Sequence, residues 1–170
     1  STSQLQLTEI AVRWRNEGYT FEKLVEEVER IKRHNIILQN VDTLTYLKKG
    51  GRVPASIAMI GNALNLKPML TINGEGKLNS LKKDRGRKTS FRSLISTLQS
   101  YGINEDYPVK IIYTSNREMG EELEEMLKEA TGITSTRVIQ MGGVVGTHIG
   151  PNGVGLAAIV EKDIFATEEN

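Results

Sequence analysis

Cysteine is absent from the chain, so neither a disulfide framework nor a thiolate metal site is available. That fits a reducing compartment, and a cytoplasmic location is the expectation. No apolar run approaches the roughly 18 residues needed for a membrane span, and the N-terminus carries no signal-peptide pattern. An excess of charge of one sign is lacking too: 22 Lys and Arg face 21 Asp and Glu, for a net +1. An overall basic nucleic-acid binder is thereby disfavoured. Only two histidines occur, with no His-x-x-x-His or carboxylate–His spacing for a metal. Nucleophile-elbow Gly-x-Ser-x-Gly and phosphate-loop Gly-x-x-x-x-Gly-Lys-Ser/Thr patterns are likewise missing. No metal, no cofactor and no self-sufficient catalytic constellation is expected.

What is present is a soluble, globular pattern, 38% hydrophobic and 25% charged. Leu7, Ile10, Ala11 and Trp14 repeat at helical spacing, and Gly18 stops that helix. Thr20 is a suitable N-cap for a second helix, with Phe21, Leu24, Val25 and Val28 as its apolar face. Residues 35–41 read as a buried strand. Asp42 suits the cap of a short helix through Leu44 and Leu47, ended by Gly50 and Gly51. Pro54 suits the first turn of a further helix with Ile57, Ile60, Gly61 and Leu64 on one face. Beyond it the pattern predicts strands 66–73 and 78–83 joined by a turn at Asn73–Gly76, helix 88–101, strand 109–114, helix 117–130 and strands 135–141 and 154–161. This alternation predicts an α/β fold with a mixed sheet. A division between two domains is expected at about Asp42–Pro54, giving residues 1–48 and 49–170.

Three segments are candidates for function. Lys48-Lys49-Gly50-Gly51-Arg52 precedes a helix start, where converging backbone N–H groups and a forked guanidinium can hold an anion. A plain helix stop with solvated cations explains the same residues. Lys82-Lys83-Asp84-Arg85-Gly86-Arg87-Lys88 carries five cations in seven residues. No aromatic interleaves them, so a docking surface for an acidic partner or a solvated loop fits better than nucleic acid. Residues 142–155 hold six of the sixteen glycines around Thr147 and His148. That density predicts a loop with positive φ or close ligand approach. There the hydroxyl and imidazole can hydrogen-bond a carboxylate or phosphate oxygen. A merely structural histidine is the competing reading, and His34 needs no more than the helix C-terminus it follows.

Together these segments resemble the DegV family. Asp42 to Arg52 is similar to its DxLxYLKKGGR segment, and Leu66-Lys67-Pro68-Met69-Leu70 to its xKPxL segment. Arg85-Gly86-Arg87-Lys88 is similar to its RxRK segment, and Gly146 to Gly153 to its GTHxGPGxxG segment, with Asn152 inserted before the last glycine. The resemblance implies two α/β domains with one long-chain fatty acid buried between them. Residues 1–48 would then be the last helices and strand of the N-terminal lipid-binding domain, and 49–170 the C-terminal mixed-sheet domain. It implies a binding subunit rather than an enzyme, one that presents the carboxylate to a fatty-acid kinase for acyl-phosphate formation. His148 and Thr147 match the carboxylate-binding positions, Arg52, Arg85 and Arg87 the cleft or kinase-facing ones. Gly50, Gly51, Gly146, Gly150 and Gly153 match the loop-shaping ones. The family's TSxPS and SGTY segments have no counterpart here. On that comparison about 100 residues of a two-domain protein are expected ahead of Ser1. The alternatives are an enzyme or phosphotransferase-like domain acting on a small anion, and a regulator or nucleic-acid binder using Arg85, Arg87 and Lys88.

Overall fold

The computed structural model describes residues 2–53 and 66–166. The helix expected from Pro54 through Leu64 lies outside the described residues. In chain order the elements are α1 (Thr2–Asn16), α2 (Phe21–Ile31), a 3-10 turn (Lys32–His34), β1 (Asn35–Asn40), α3 (Thr45–Lys49), β2 (Leu66–Ile72) and β3 (Leu78–Arg85). They continue with α4 (Arg87–Ser100), β4 (Val109–Tyr113), α5 (Arg117–Thr131), β5 (Thr136–Gln140), α6 (Gly143–Ile149) and β6 (Val154–Ile159).

Local chemistry sets the ends of these elements. Thr20 caps α2 by accepting from Lys23 N, and Asn116 caps α5 by accepting from Met119 N. Gly132, at φ +75°, closes α5 in the left-handed region. The β2–β3 turn is held by Asn73 Oδ1, which accepts from Glu75 N and Lys77 N, with Gly76 at φ +74°. Asp42 does not cap α3. Its carboxylate pairs with Lys67 on β2, and Thr43 Oγ1 accepts from Thr45 N instead. His34 departs from expectation as well: its Nδ1 lies 3.1 Å from Val160 O and ties the 3-10 turn to the end of β6.

The six strands of the described residues form one mixed sheet in the order β3-β2-β1-β6-β4-β5. Only β4 and β5 run parallel; β3–β2, β2–β1, β1–β6 and β6–β4 are antiparallel. The sheet therefore runs across the division expected at Asp42–Pro54, because β1 sits in its centre between β2 and β6. Strand alternation sends Ile36 and Leu38 to one face and Ile37 and Gln39 to the other. On the first face, Phe91, Leu94 and Leu98 of α4 and Leu123 and Leu127 of α5 fill the main core. On the second, α1 and α2 cover β6 through Ile10, Trp14, Ile31 and Ile159. Beside them α3 and α6 close a small cluster of Val41, Leu47, Leu70 and Ile149. The layers are thus helix, sheet, helix.

Two sequence expectations about burial change. Phe21 is 76% exposed and Val25 48% exposed, so the inward stripe of α2 is Leu24, Val28 and Ile31. Lys82, Lys83 and Arg85 belong to β3, which continues to Arg85 at the sheet edge, rather than to a loop. An edge strand rich in lysine is protected against pairing with other chains. Two ion pairs, both to Glu9, fasten α1 to the sheet. Lys110, 1% exposed, donates to Glu9 Oε2 at 2.6 Å, and Arg137 to Glu9 Oε1 at 2.9 Å. Burial alone would raise the Glu9 carboxyl, but the hydrogen bonds and charges of Lys110 and Arg137 outweigh it and hold the group below its ordinary range.

Candidate functional site

The glycine-rich segment is not an extended loop. Gly143 to Ile149 form α6, with Gly142 as N-cap and Gly150 as C-cap. Of the six glycines only Gly150 has positive φ, +79°; the one other left-handed residue here is Asn152 at +57°. Gly153 and Gly155 approach neighbouring protein atoms, Ile149 and Thr114 for the first, Leu38 and Gln39 for the second. Gly142, Gly143 and Gly146 face open space. Burial outweighs the poor helix propensity of glycine: Ile149 and Val145 seat α6 on Val41, Leu47 and Leu70.

The segments around Gly50 and His148, far apart in sequence, meet here. Helix α3 ends in a complete Schellman motif: Gly51 N donates to Lys48 O at 3.1 Å and Arg52 N to Leu47 O at 2.8 Å. Gly51 supplies the left-handed residue, at φ +66°. The motif turns the chain so that Arg52 lies beside the end of α6, and its Nη1 donates back to Gly50 O at 2.6 Å. A side chain at Gly50 would run into the His148 ring, and one at Gly150 into the ring of Tyr46. Two glycines thus let α3 and α6 interlock, each making room for an aromatic ring of the other element.

Arg52 and His148 both line a cleft of about 650 Å³ on the α3/α6 face of the sheet. Its walls are largely apolar, from Leu7, Ile37, Leu70, Ile72, Leu78 and Val144. Polar groups stand at its two ends. At one end are His148, whose Nδ1 is buried without a hydrogen-bond partner among the described residues, and Arg52. At the other are Ser3 and Asn35: Asn35 Nδ2 donates to Ser3 O at 2.9 Å, while Ser3 Oγ and Asn35 Oδ1 are buried with no partner among the described residues. From Asn35 to Gln39 along β1 the cleft runs about 13 Å, at roughly 3.3 Å per residue. Lys32 lines the Asn35 end but is ion-paired with Glu29. Among the described residues no carboxylate pairs with Arg52.

The other expected residues lie elsewhere. Thr147 is exposed and outside the cleft lining, and its hydroxyl donates to Gly143 O at 2.7 Å within α6. Gly146 is on α6, and Gly153 lies beneath Ile149 in the turn before β6. Arg85 is exposed at the end of β3. Arg87 opens α4 on the opposite face of the sheet and pairs with Glu122 at 3.2 Å. Sequence reasoning missed Asn35 and Ser3; the signal was an amide at the start of an otherwise apolar strand. Among the described residues no cluster of His, Asp and Glu is placed to hold a metal. No helix among them is long and apolar enough to cross a membrane.

Comparison with known proteins bears on this arrangement. The profile described as "Uncharacterised protein, DegV family" matches residues 2–161. A DegV domain-containing protein of Caldanaerobacter subterraneus is 36% identical over 148 residues, covering 86% of this chain and 52% of the relative. The chain spans about half the length of the curated relatives it matches. Among solved structures, the fatty acid binding DegV family protein of Streptococcus agalactiae is 28% identical, with a TM-score of 0.81 over 92% of this chain and 55% of its own. The fatty acid kinase (Fak) B3 protein of Streptococcus pneumoniae, loaded with linoleic acid, shares the fold at 20% identity, with a TM-score of 0.81 over 91% of this chain and 55% of its own. With a profile match over nearly its whole length and the helix–sheet–helix architecture in common, the chain belongs to the DegV family.

Proposed function

We propose that this chain forms part of a long-chain fatty-acid-binding protein and holds the ligand's carboxylate at the His148–Arg52 end of the cleft. One observation carries the reading: the His148 ring, its Nδ1 buried against Gly50, and a guanidinium with no carboxylate partner among the described residues line one cleft with largely apolar walls. An amphipathic anion needs both features. Burying each CH₂ yields roughly 0.8 kcal/mol, so a sixteen-carbon chain gains on the order of 10 kcal/mol before ordering costs. The carboxylate cannot enter unpaired. The Asn35 end suits it less, because the cation there is already neutralised by Glu29. Thr147 supports the site indirectly, since its hydroxyl bonds its own helix and braces the turn that carries His148. The fatty acid named for the 28%-identical relative is consistent with the reading.

The protein on this reading is a binding subunit. Phosphoryl transfer to the carboxylate belongs to a partner fatty-acid kinase, with exposed Arg85 and Arg87 on the surface available to it. Native mass spectrometry of the intact protein purified from bacteria tests the binding step. A co-purifying fatty acid is expected. His148→Ala should lose one hydrogen bond to a charged group, about 1.5–3 kcal/mol, or a ten- to hundredfold loss of affinity. Arg52→Ala should impair acyl-phosphate formation more than lipid retention. Protein that emerges lipid-free and takes up no added fatty acid would sink the proposal.

A further inference from the structure

A second polar cavity lies on the opposite face of the sheet, at the end where β1 finishes and β6, α4 and α5 begin. Its volume is about 250 Å³. Asn40 lines it from a position that strand alternation assigns to the core, following Ile36 and Leu38 on the same face. Asn40 is 4% exposed, and both Oδ1 and Nδ2 are buried with no hydrogen-bond partner among the described residues. Its neighbours across the sheet are Met69 and Val154, which offer the amide nothing. A buried carboxamide with neither end satisfied is costly, and in native proteins such groups mark a bound water, ion or ligand.

The rest of the lining favours an anion. Helix α4, fourteen residues long, starts at this cavity with Gly86 as N-cap, no side-chain cap and no acid in its first turn. No side chain among the described residues therefore caps its first N–H groups, and the positive end of its dipole favours an anion there. Helix α5, fifteen residues long, starts there too, and Asn116 occupies only Met119 N. Among the described residues Arg87 and Lys67 are the cations of the lining, and Asp42, its one acid, is neutralised by Lys67. Arg87 is held by Glu122, but its side chain is 54% exposed and can turn inward.

We propose that this cavity is a binding site for a small phosphate group, inorganic phosphate or a phosphate monoester. The Asn40 amide sets the chemistry. Nδ2 needs an acceptor and Oδ1 needs a donor. A protonated phosphate oxygen, or a hydroxyl next to the ester, supplies the donor while another phosphoryl oxygen accepts from Nδ2. Sulfate matches the size and charge but carries no proton near neutral pH, so it leaves Oδ1 unsatisfied. The α4 N-terminus and Arg87 provide the charge complement.

The test uses the intact chain without lipid or kinase, so it is independent of the fatty-acid reading. Amide resonances are followed by NMR during titration with inorganic phosphate, glycerol 3-phosphate or sodium sulfate at constant ionic strength. Saturable shifts of the Asn40 side-chain amide and of the Arg87 and Lys88 backbone amides are expected with both phosphates. The tighter of the two identifies the source. Sulfate should bind at least about tenfold more weakly. Asn40→Leu should melt no lower than the parent and lose the phosphate response. Arg87→Gln should weaken phosphate by about tenfold or more, and carries the test alone if Asn40→Leu fails to fold. No saturable shift, equal binding of sulfate, or an undiminished phosphate response in Arg87→Gln would overturn the assignment.

Discussion

Substituting Gly50 by alanine isolates the contact that joins the two glycine-bearing segments. Gly50 has φ −82° and ψ −2°, a backbone open to any residue, so the change brings no backbone strain. All of its effect is contact. The added Cβ would overlap His148 Nδ1 and come within 2.7 Å of Cε1 and 3.3 Å of Tyr46 O. The imidazole must move. Overpacking of this kind costs about 1–3 kcal/mol, and the lower entropy of the unfolded alanine chain returns about 0.4–1 kcal/mol. A net loss of about 1–2 kcal/mol follows, or about 2–8 °C in melting temperature for a chain of this size. His148→Ala removes the obstacle, so in that background Gly50→Ala should be neutral or stabilising. Calorimetry of the four proteins gives the coupling energy, expected at about 1 kcal/mol or more in favour of the double variant. Additivity within about 0.5 kcal/mol would show that the ring does not rest on Gly50 and would refute the interlock.

Gly51→Ala should cost about 1–2 kcal/mol in chemical denaturation, because its Cβ meets nothing and the whole penalty is the left-handed backbone at φ +66°. Gly51→Asn should recover part of it, and an alanine variant as stable as the parent would exclude the Schellman end of α3. Glu9 gives a pH signature. Its carboxyl lies below the ordinary range in the folded protein, so its stabilisation is complete above the unfolded value and is lost as pH falls through the folded one. Glu9→Gln should flatten that acid limb in denaturation midpoints. At neutral pH it should cost about 1–3 kcal/mol, since Lys110 stays buried while Glu9 is partly solvated. An unchanged acid limb would refute the pairing.

What was legible in the sequence was whatever local periodicity encodes. The helices that become α4 and α5, the Asn73–Gly76 turn and the Thr20 cap all follow from residues within a few positions of one another. The centre of the sheet does not. β1 pairs with β6 more than a hundred residues later, and no local pattern shows that the strand before Asp42 shares a core with the strands after Pro54. Nor does composition show that Asn40 has no partner, or that Arg87 and Arg52 stand on opposite faces. The largest departure is α6. Glycine density argued for irregular backbone, yet a short helix forms because Val145 and Ile149 bury one side of it.

That reversal can be measured at Gly146, in the middle of α6, where an added Cβ would meet nothing within 4 Å. In a loop needing positive φ, alanine at this position would be strained and destabilising. In the helix, alanine removes unfolded-state freedom and should stabilise by about 0.5–1 kcal/mol. The sign of the effect therefore decides between the two. Denaturant midpoints of Gly146→Ala should rise, with Gly150→Ala as the opposite control, because Gly150 combines φ +79° with the ring of Tyr46. If Gly146→Ala falls alongside Gly150→Ala, the segment carrying His148 is not the helix described. The imidazole would then lose the rigid support that holds it against Gly50 beside the cleft.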